Sequence, residues 1–121
     1  MTAERSAADW REAIDFDDDV AIAAITAAEL LLGVELADTR HRARRQSYVE
    51  GLLALVEIES YDLEVARAHS VLLAHVRRSG QPRGAHDLMI AATAAANDRT
   101  VITSDASGFQ GLPGVQVRSL P

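Results

Sequence analysis

Residues Val20 to Ile25 form an apolar run without a polar interruption, and half of them are β-branched. A short run of this kind, preceded by the acidic Asp17-Asp18-Asp19, fits a strand over 20–26 that is buried on both faces. Two-sided burial is a property of parallel sheets covered by helices. The rest of the chain supplies the helices. Patterning predicts helices over 27–38, 41–54, 62–79 and 86–97, and further strands over 55–59, 100–104 and 115–118. The helix over 62–79 has the strongest pattern: Val65, His69, Leu72, Leu73 and Val76 share one stripe, and Gly80 stands at its stop. A short amphipathic helix over 3–14 would face inward through Trp10 and Ile14. Strands alternating with helices specify an α/β fold, a three-layer sandwich with a central, mainly parallel sheet built from right-handed crossovers.

Such a sheet gathers chemistry at the carboxyl ends of its strands. Glu29 follows the first strand, Asp105 directly follows the strand at 100–104, and Asp87 opens the helix leading into that strand. A crossover helix runs against its strands, so Asp87 belongs to the same edge. Clustered carboxylates suit a hard divalent cation, which relieves their mutual repulsion. Glu29, Asp87 and Asp105 are therefore the candidate metal-binding and catalytic residues for Mg²⁺ or Mn²⁺. Thr103 and Ser104 stand where they would orient an aspartate or a water. Each acid also has an ordinary explanation. Thr26-Ala-Ala-Glu29 matches a capping box, favoured about three to two on the local pattern alone. Asp87 suits the helix dipole, and Asp105 could bond its own turn through Ser107 or Gly108.

With 121 residues, 48% of them hydrophobic and 25% charged, the chain has the profile of one globular domain, 1–121. No apolar stretch is long enough for a membrane span, and the start is not signal-like. Cysteine is absent, which excludes disulfides, thiolate metal sites and cysteine nucleophiles, and is consistent with a cytoplasmic setting. The formal charge of −6 opposes nucleic acid at long range, but all 12 basic residues are arginine. They cluster at Arg40, Arg42, Arg44 and Arg45, and again at Arg77, Arg78 and Arg83. Arginine forks fit phosphate, although an arginine-rich solvated surface accounts for the clusters twice as readily. His69 fits a half-buried core position, His75 a solvated one, and His86 adjoins Asp87; His41 has no evident partner. No histidine spacing suits a zinc or di-iron helix site, and no glycine-rich phosphate loop is present. A phosphoacceptor receiver domain is disfavoured by the absence of lysine.

Three segments together resemble the PIN-domain family, specifically VapC-type toxins of bacterial toxin–antitoxin pairs. They are Ile22 to Val34 with Glu29, Asp87 to Ala94, and Val101 to Asp105 followed by Phe109. The resemblance runs from about residue 20 to the C-terminus. It implies endonucleolytic hydrolysis of RNA with Mg²⁺ or Mn²⁺ at Glu29, Asp87 and Asp105, and a cytoplasmic setting; Arg77, Arg78 and Arg83 are then the candidates for contacts to the RNA backbone. It also implies a VapB-type antitoxin partner and a homodimer or toxin–antitoxin hetero-oligomer. Family members usually begin with a strand ending in a further aspartate. That N-terminal strand is expected to be missing here, because Thr2 to Ile14 resembles the helical region that follows it; Asp15, Asp17, Asp18 and Asp19 should lie at the opposite edge of the sheet and are poor substitutes for its aspartate. The alternative is then a catalytically weak or inactive member that acts by binding its antitoxin through the helices at 27–38 and 41–54.

Overall fold

The computed structural model describes residues 19–120. In chain order these form β1 (Ala21–Ala23), α1 (Ala24–Leu36), α2 (Arg42–Leu55) and β2 (Glu57–Glu59). They continue through α3 (Leu63–Ser79), α4 (Ala85–Ala96), β3 (Thr100–Thr103), a 3₁₀ turn (Ala106–Gly108) and β4 (Gln116–Ser119). The expected helix over 3–14, with Trp10 and Ile14, lies outside the described residues, as do Asp15, Asp17 and Asp18 and the expectation of a missing N-terminal strand.

Both strand pairs are parallel. Ile22 of β1 stands opposite Ile58 of β2, and Val101 of β3 opposite Val117 of β4. The Leu120 amide prolongs the second ladder by donating to the Thr103 carbonyl at 2.8 Å. Among the described residues β1 and β3 belong to separate two-stranded ladders. A narrow cleft lined by Ala21, Ala23, Ile90, Thr93, Thr100 and Val101 lies between these two strands.

The helices follow from local chemistry and from packing. Asp62 caps α3, its carboxylate accepting from the Val65 amide at 2.9 Å. Gly80 ends α3 in the left-handed region at φ 69°, where glycine carries no Cβ penalty. Between these stops, Val65 and Leu72 are fully buried and face α4. In α4, Ala91 and Ala92 are completely buried, and such small side chains let the helix lie close to its neighbours. Leu88, Ile90, Val101, Phe109 and Leu112 complete this core with Ala23.

The boundary that differs most from expectation is the end of the first strand. The first strand is only Ala21–Ala23, and α1 already includes Ile25 and Thr26. Ala24, Ala27, Ala28, Glu29 and the leucines after it favour helix, and they draw the turn back over residues that hydrophobicity alone leaves open. His41, expected to lack a partner, contacts Asp38: its Nδ1 lies 2.7 Å from Oδ1, which also accepts from the His41 amide at 2.9 Å. His69 is half-buried as expected, with Nδ1 2.8 Å from the Tyr61 hydroxyl.

At the amino ends of the strands, Arg99 ties the two strand pairs together. Its guanidinium lies 3.1 Å from both Glu57 and Glu59 and 3.4 Å from Asp19. Asp19 thus occupies the edge that its position ahead of β1 indicates. Replacing Arg99 with methionine is expected to lower stability by about 2 kcal/mol, the scale of charge-assisted hydrogen bonds. Most of the loss should come through Glu59, the partner with only 18% side-chain exposure. Urea unfolding at low and high salt checks this, since screening should narrow the gap between variant and parent.

Candidate active site

Glu29 sits in the second turn of α1, because the helix begins at Ala24. Thr26 is therefore inside the helix and buried, and the N-cap position is Ala23, which offers no side-chain oxygen. The capping-box explanation for Glu29 is thereby removed. Instead its Oε1 lies 2.8 Å from Nδ1 of His86, in the first turn of α4. Sequence reasoning left this pair unrecognised; the adjacency of His86 to Asp87 was its only local signal.

Asp87 occupies the same first turn. Its carboxylate lies between two glycines. A Cβ on Gly84 would stand 3.4 Å from Oδ2, and one on Gly108 only 2.6 Å away. Gly108 has no positive φ, so the need at this position is for space rather than for backbone freedom. No sequence motif pointed to it.

Asp105 begins the 3₁₀ turn immediately after β3. Its Oδ1 accepts from the Ser107 amide at 3.2 Å and from the Ser107 hydroxyl at 2.5 Å, the turn-forming role open to it from sequence. Thr103, completely buried at the end of β3, fixes the aspartate's backbone. Its Oγ1 accepts from the Asp105 amide at 3.1 Å and donates to the Asp105 carbonyl at 3.3 Å. Among the described residues the Ser104 side chain makes no such bond.

Arg83 lies in the loop before α4. Its two terminal nitrogens donate to the carbonyls of Ser107 at 3.2 Å and Gln110 at 2.7 Å. Arg77 and Arg78 lie in the last turn of α3, one loop away from the start of α4.

A continuous run of contacts therefore joins the three acids: Glu29 to His86, its neighbour Asp87 to Gly108, and the turn holding Gly108 to Asp105 through Ser107. Each of Glu29 and Asp105 is turned toward its own local partner. Among the described residues no three acidic or histidine side chains are drawn close enough to enclose a metal ion. The donor set nevertheless suits a hard cation, since carboxylate and hydroxyl oxygens are the ligands magnesium and manganese prefer. A Cβ on Gly108 would stand only 2.6 Å from the Asp87 Oδ2, so glycine there lets the loop approach that carboxylate without a clash.

The PIN domain family model matches residues 2–113. The chain is 34% identical over 98 residues to the tRNA(fMet)-specific endonuclease VapC of Salmonella typhimurium, covering 79% of this chain and 71% of that protein. It is 39% identical over 98 residues to Ribonuclease VapC5 of Mycobacterium tuberculosis, covering 80% and 71%. In structure it is similar to a chain of the DNA-bound VapBC complex from Salmonella typhimurium, with a TM-score of 0.77 at 30% identity. That match covers 82% of this chain and 74% of the other. The α/β elements, the parallel strand pairs and these similarities lead to one conclusion: the chain belongs to the PIN-domain family, among its VapC-type members.

Proposed function

We propose that this chain is the toxin of a toxin–antitoxin pair and an endoribonuclease, hydrolysing RNA phosphodiesters at Glu29, Asp87 and Asp105 with Mg²⁺ or Mn²⁺. The observation that carries the reading is the run of contacts linking the three acids through His86 and Gly108. The similarity to proteins named VapC ribonucleases supports it. A bound divalent ion supplies charge neutralisation at phosphorus and a lowered pKa for an attacking water.

The chain's own residues prepare that chemistry. Glu29, Asp87 and Asp105 would hold the ion. His86 orients Glu29 through the 2.8 Å contact, and Thr103 fixes the backbone of Asp105 at the end of β3. Arg77 and Arg78, near the start of α4, offer guanidinium groups to the RNA backbone, which suits a chain whose net charge of −6 gives no general attraction. The antitoxin, of VapB type, covers the exposed leucines of α1 and α2. Leu32, Leu36 and Leu55 are 53%, 76% and 78% exposed, more than isolated surface leucines on one helix pair require. Among the described residues no helix is long and apolar enough to cross a membrane, and the reading places the pair in the cytoplasm, with RNA.

A second reading, a catalytically weak or inactive member that acts by binding its antitoxin, draws on the local engagement of Glu29 and Asp105. Incubation with a mixed RNA pool in Mn²⁺ and in EDTA separates the two. Cleavage in Mn²⁺ that EDTA and Glu29→Gln both suppress supports the nuclease. Intact RNA in every arm, with a basic antitoxin still co-purifying, supports the second reading.

A further inference from the structure

We propose that Arg83 is a positioning residue rather than an RNA contact. It clamps the loop 105–111 onto the start of α4 and so sets the spacing of Asp87 and Asp105. The proposal rests on the metal-dependent reading above, but its geometry is independent of any ion.

Three observations converge on the clamp. Arg83 donates to two carbonyls of one loop, Ser107 and Gln110, which lie 24 and 27 residues away in sequence. Between those two carbonyls sits Gly108, whose missing side chain lets the loop seat against Asp87 at a separation that a Cβ would reduce to 2.6 Å. The same loop carries the Ser107 amide and hydroxyl that hold the Asp105 carboxylate. One guanidinium therefore secures the segment that meets Asp87 at one point and Asp105 at another. Beyond the clamp, Gly111 turns the chain at φ 79°, and a Cβ there would stand 3.8 Å from the Arg83 guanidinium.

The chemistry of the side chain fits this task. A planar fork presents several N–H donors in fixed directions and can bridge two carbonyls at once, whereas an ammonium is a compact charge on a flexible stem. Lysine would keep the charge and lose the bridge. That difference separates positioning from phosphate contact, for which lysine is a workable substitute.

The experiment compares Arg83→Lys, Arg83→Ala and Gly108→Ala in the full chain, reading three quantities. Hydrogen exchange at the amides of residues 107–110 reports on the loop without any metal. Titration with Mn²⁺ alone reports on the acids. Salt-dependent binding of a single-stranded RNA oligonucleotide, measured in an Asp87→Asn background, reports on phosphate contact. The clamp requires lysine to behave like alanine: faster exchange at 107–110 and Mn²⁺ affinity lower by about 10-fold, the scale of losing an outer-shell support. RNA affinity and its salt slope should stay unchanged. Gly108→Ala should reproduce the loss of Mn²⁺ affinity with Arg83 intact. The proposal is overturned if lysine restores wild-type behaviour, or if Arg83→Ala leaves exchange unchanged and lowers the salt slope by about 1. Should the parent chain bind no Mn²⁺, the nuclease reading fails alone, and the exchange data still decide the clamp.

Discussion

Asp87→Asn is expected to lower Mn²⁺-dependent RNA cleavage by roughly 10²–10³-fold, the scale of removing one preorganised electrostatic contact from a catalytic site. Asparagine keeps the shape of aspartate and removes its charge. The fold should tolerate it, because the carboxylate lies against the backbone of Gly84 and Gly108, where a side chain of the same volume fits. The helix dipole is one term that acts on stability. An acid in the first turn of α4 gains from the helix dipole, by about 0.3–1 kcal/mol, and the variant gives that up. Activity should therefore fall far more than the unfolding midpoint moves. Cleavage rates and urea unfolding of the same preparation check this. Retained cleavage would remove Asp87 from the catalytic set.

Phe109→Ala should show the opposite signature. Phe109 is 1% exposed and belongs to the core with Leu88, Val101 and Leu112. Truncating a buried phenylalanine costs about 3–5 kcal/mol through lost transfer energy and the cavity left behind. Against a typical domain stability of about 5–15 kcal/mol, that is a large share. Phe109 directly follows the 3₁₀ turn bearing Ser107 and Gly108, so the loop that organises Asp105 and Asp87 would loosen with it. Stability and cleavage should therefore fall together, which Asp87→Asn does not do. Phe109→Leu retains most of the apolar volume and should cost less, about 1.5 kcal/mol or below. A denaturant series on the three proteins orders them; an unfolding midpoint for Phe109→Ala equal to the parent's would contradict the core described here.

Much of the architecture was legible because burial leaves a period in the sequence. The stripe through Val65, Leu72 and Val76 located α3, and Asp62 and Gly80 marked its ends. The places of Asp87 at the start of α4 and of Asp105 beyond the end of β3 followed from topology, since α4 enters β3 and must begin near that strand's far end. What the sequence concealed depends on contacts between distant residues. The run Val20 to Ile25 suits a buried strand or a buried helix equally, and helix-forming residues downstream decided in favour of helix from Ala24. That shift dissolved the capping box at Thr26 and released Glu29 to meet His86. Gly108 carries no local signal, because its requirement is set by Asp87, which comes from another element. Arg83 looked like a free cation for the same reason: its two carbonyl partners follow β3.

The most direct measurement is Mn²⁺ binding, by electron paramagnetic resonance or calorimetry, to the parent chain and to Glu29→Gln, Asp87→Asn and Asp105→Asn. A shared site requires the parent to bind Mn²⁺ and each single variant to bind it at least about 10-fold more weakly. The triple variant should then bind none. Three variants with the parent's affinity, or a parent that binds no Mn²⁺, would contradict the account.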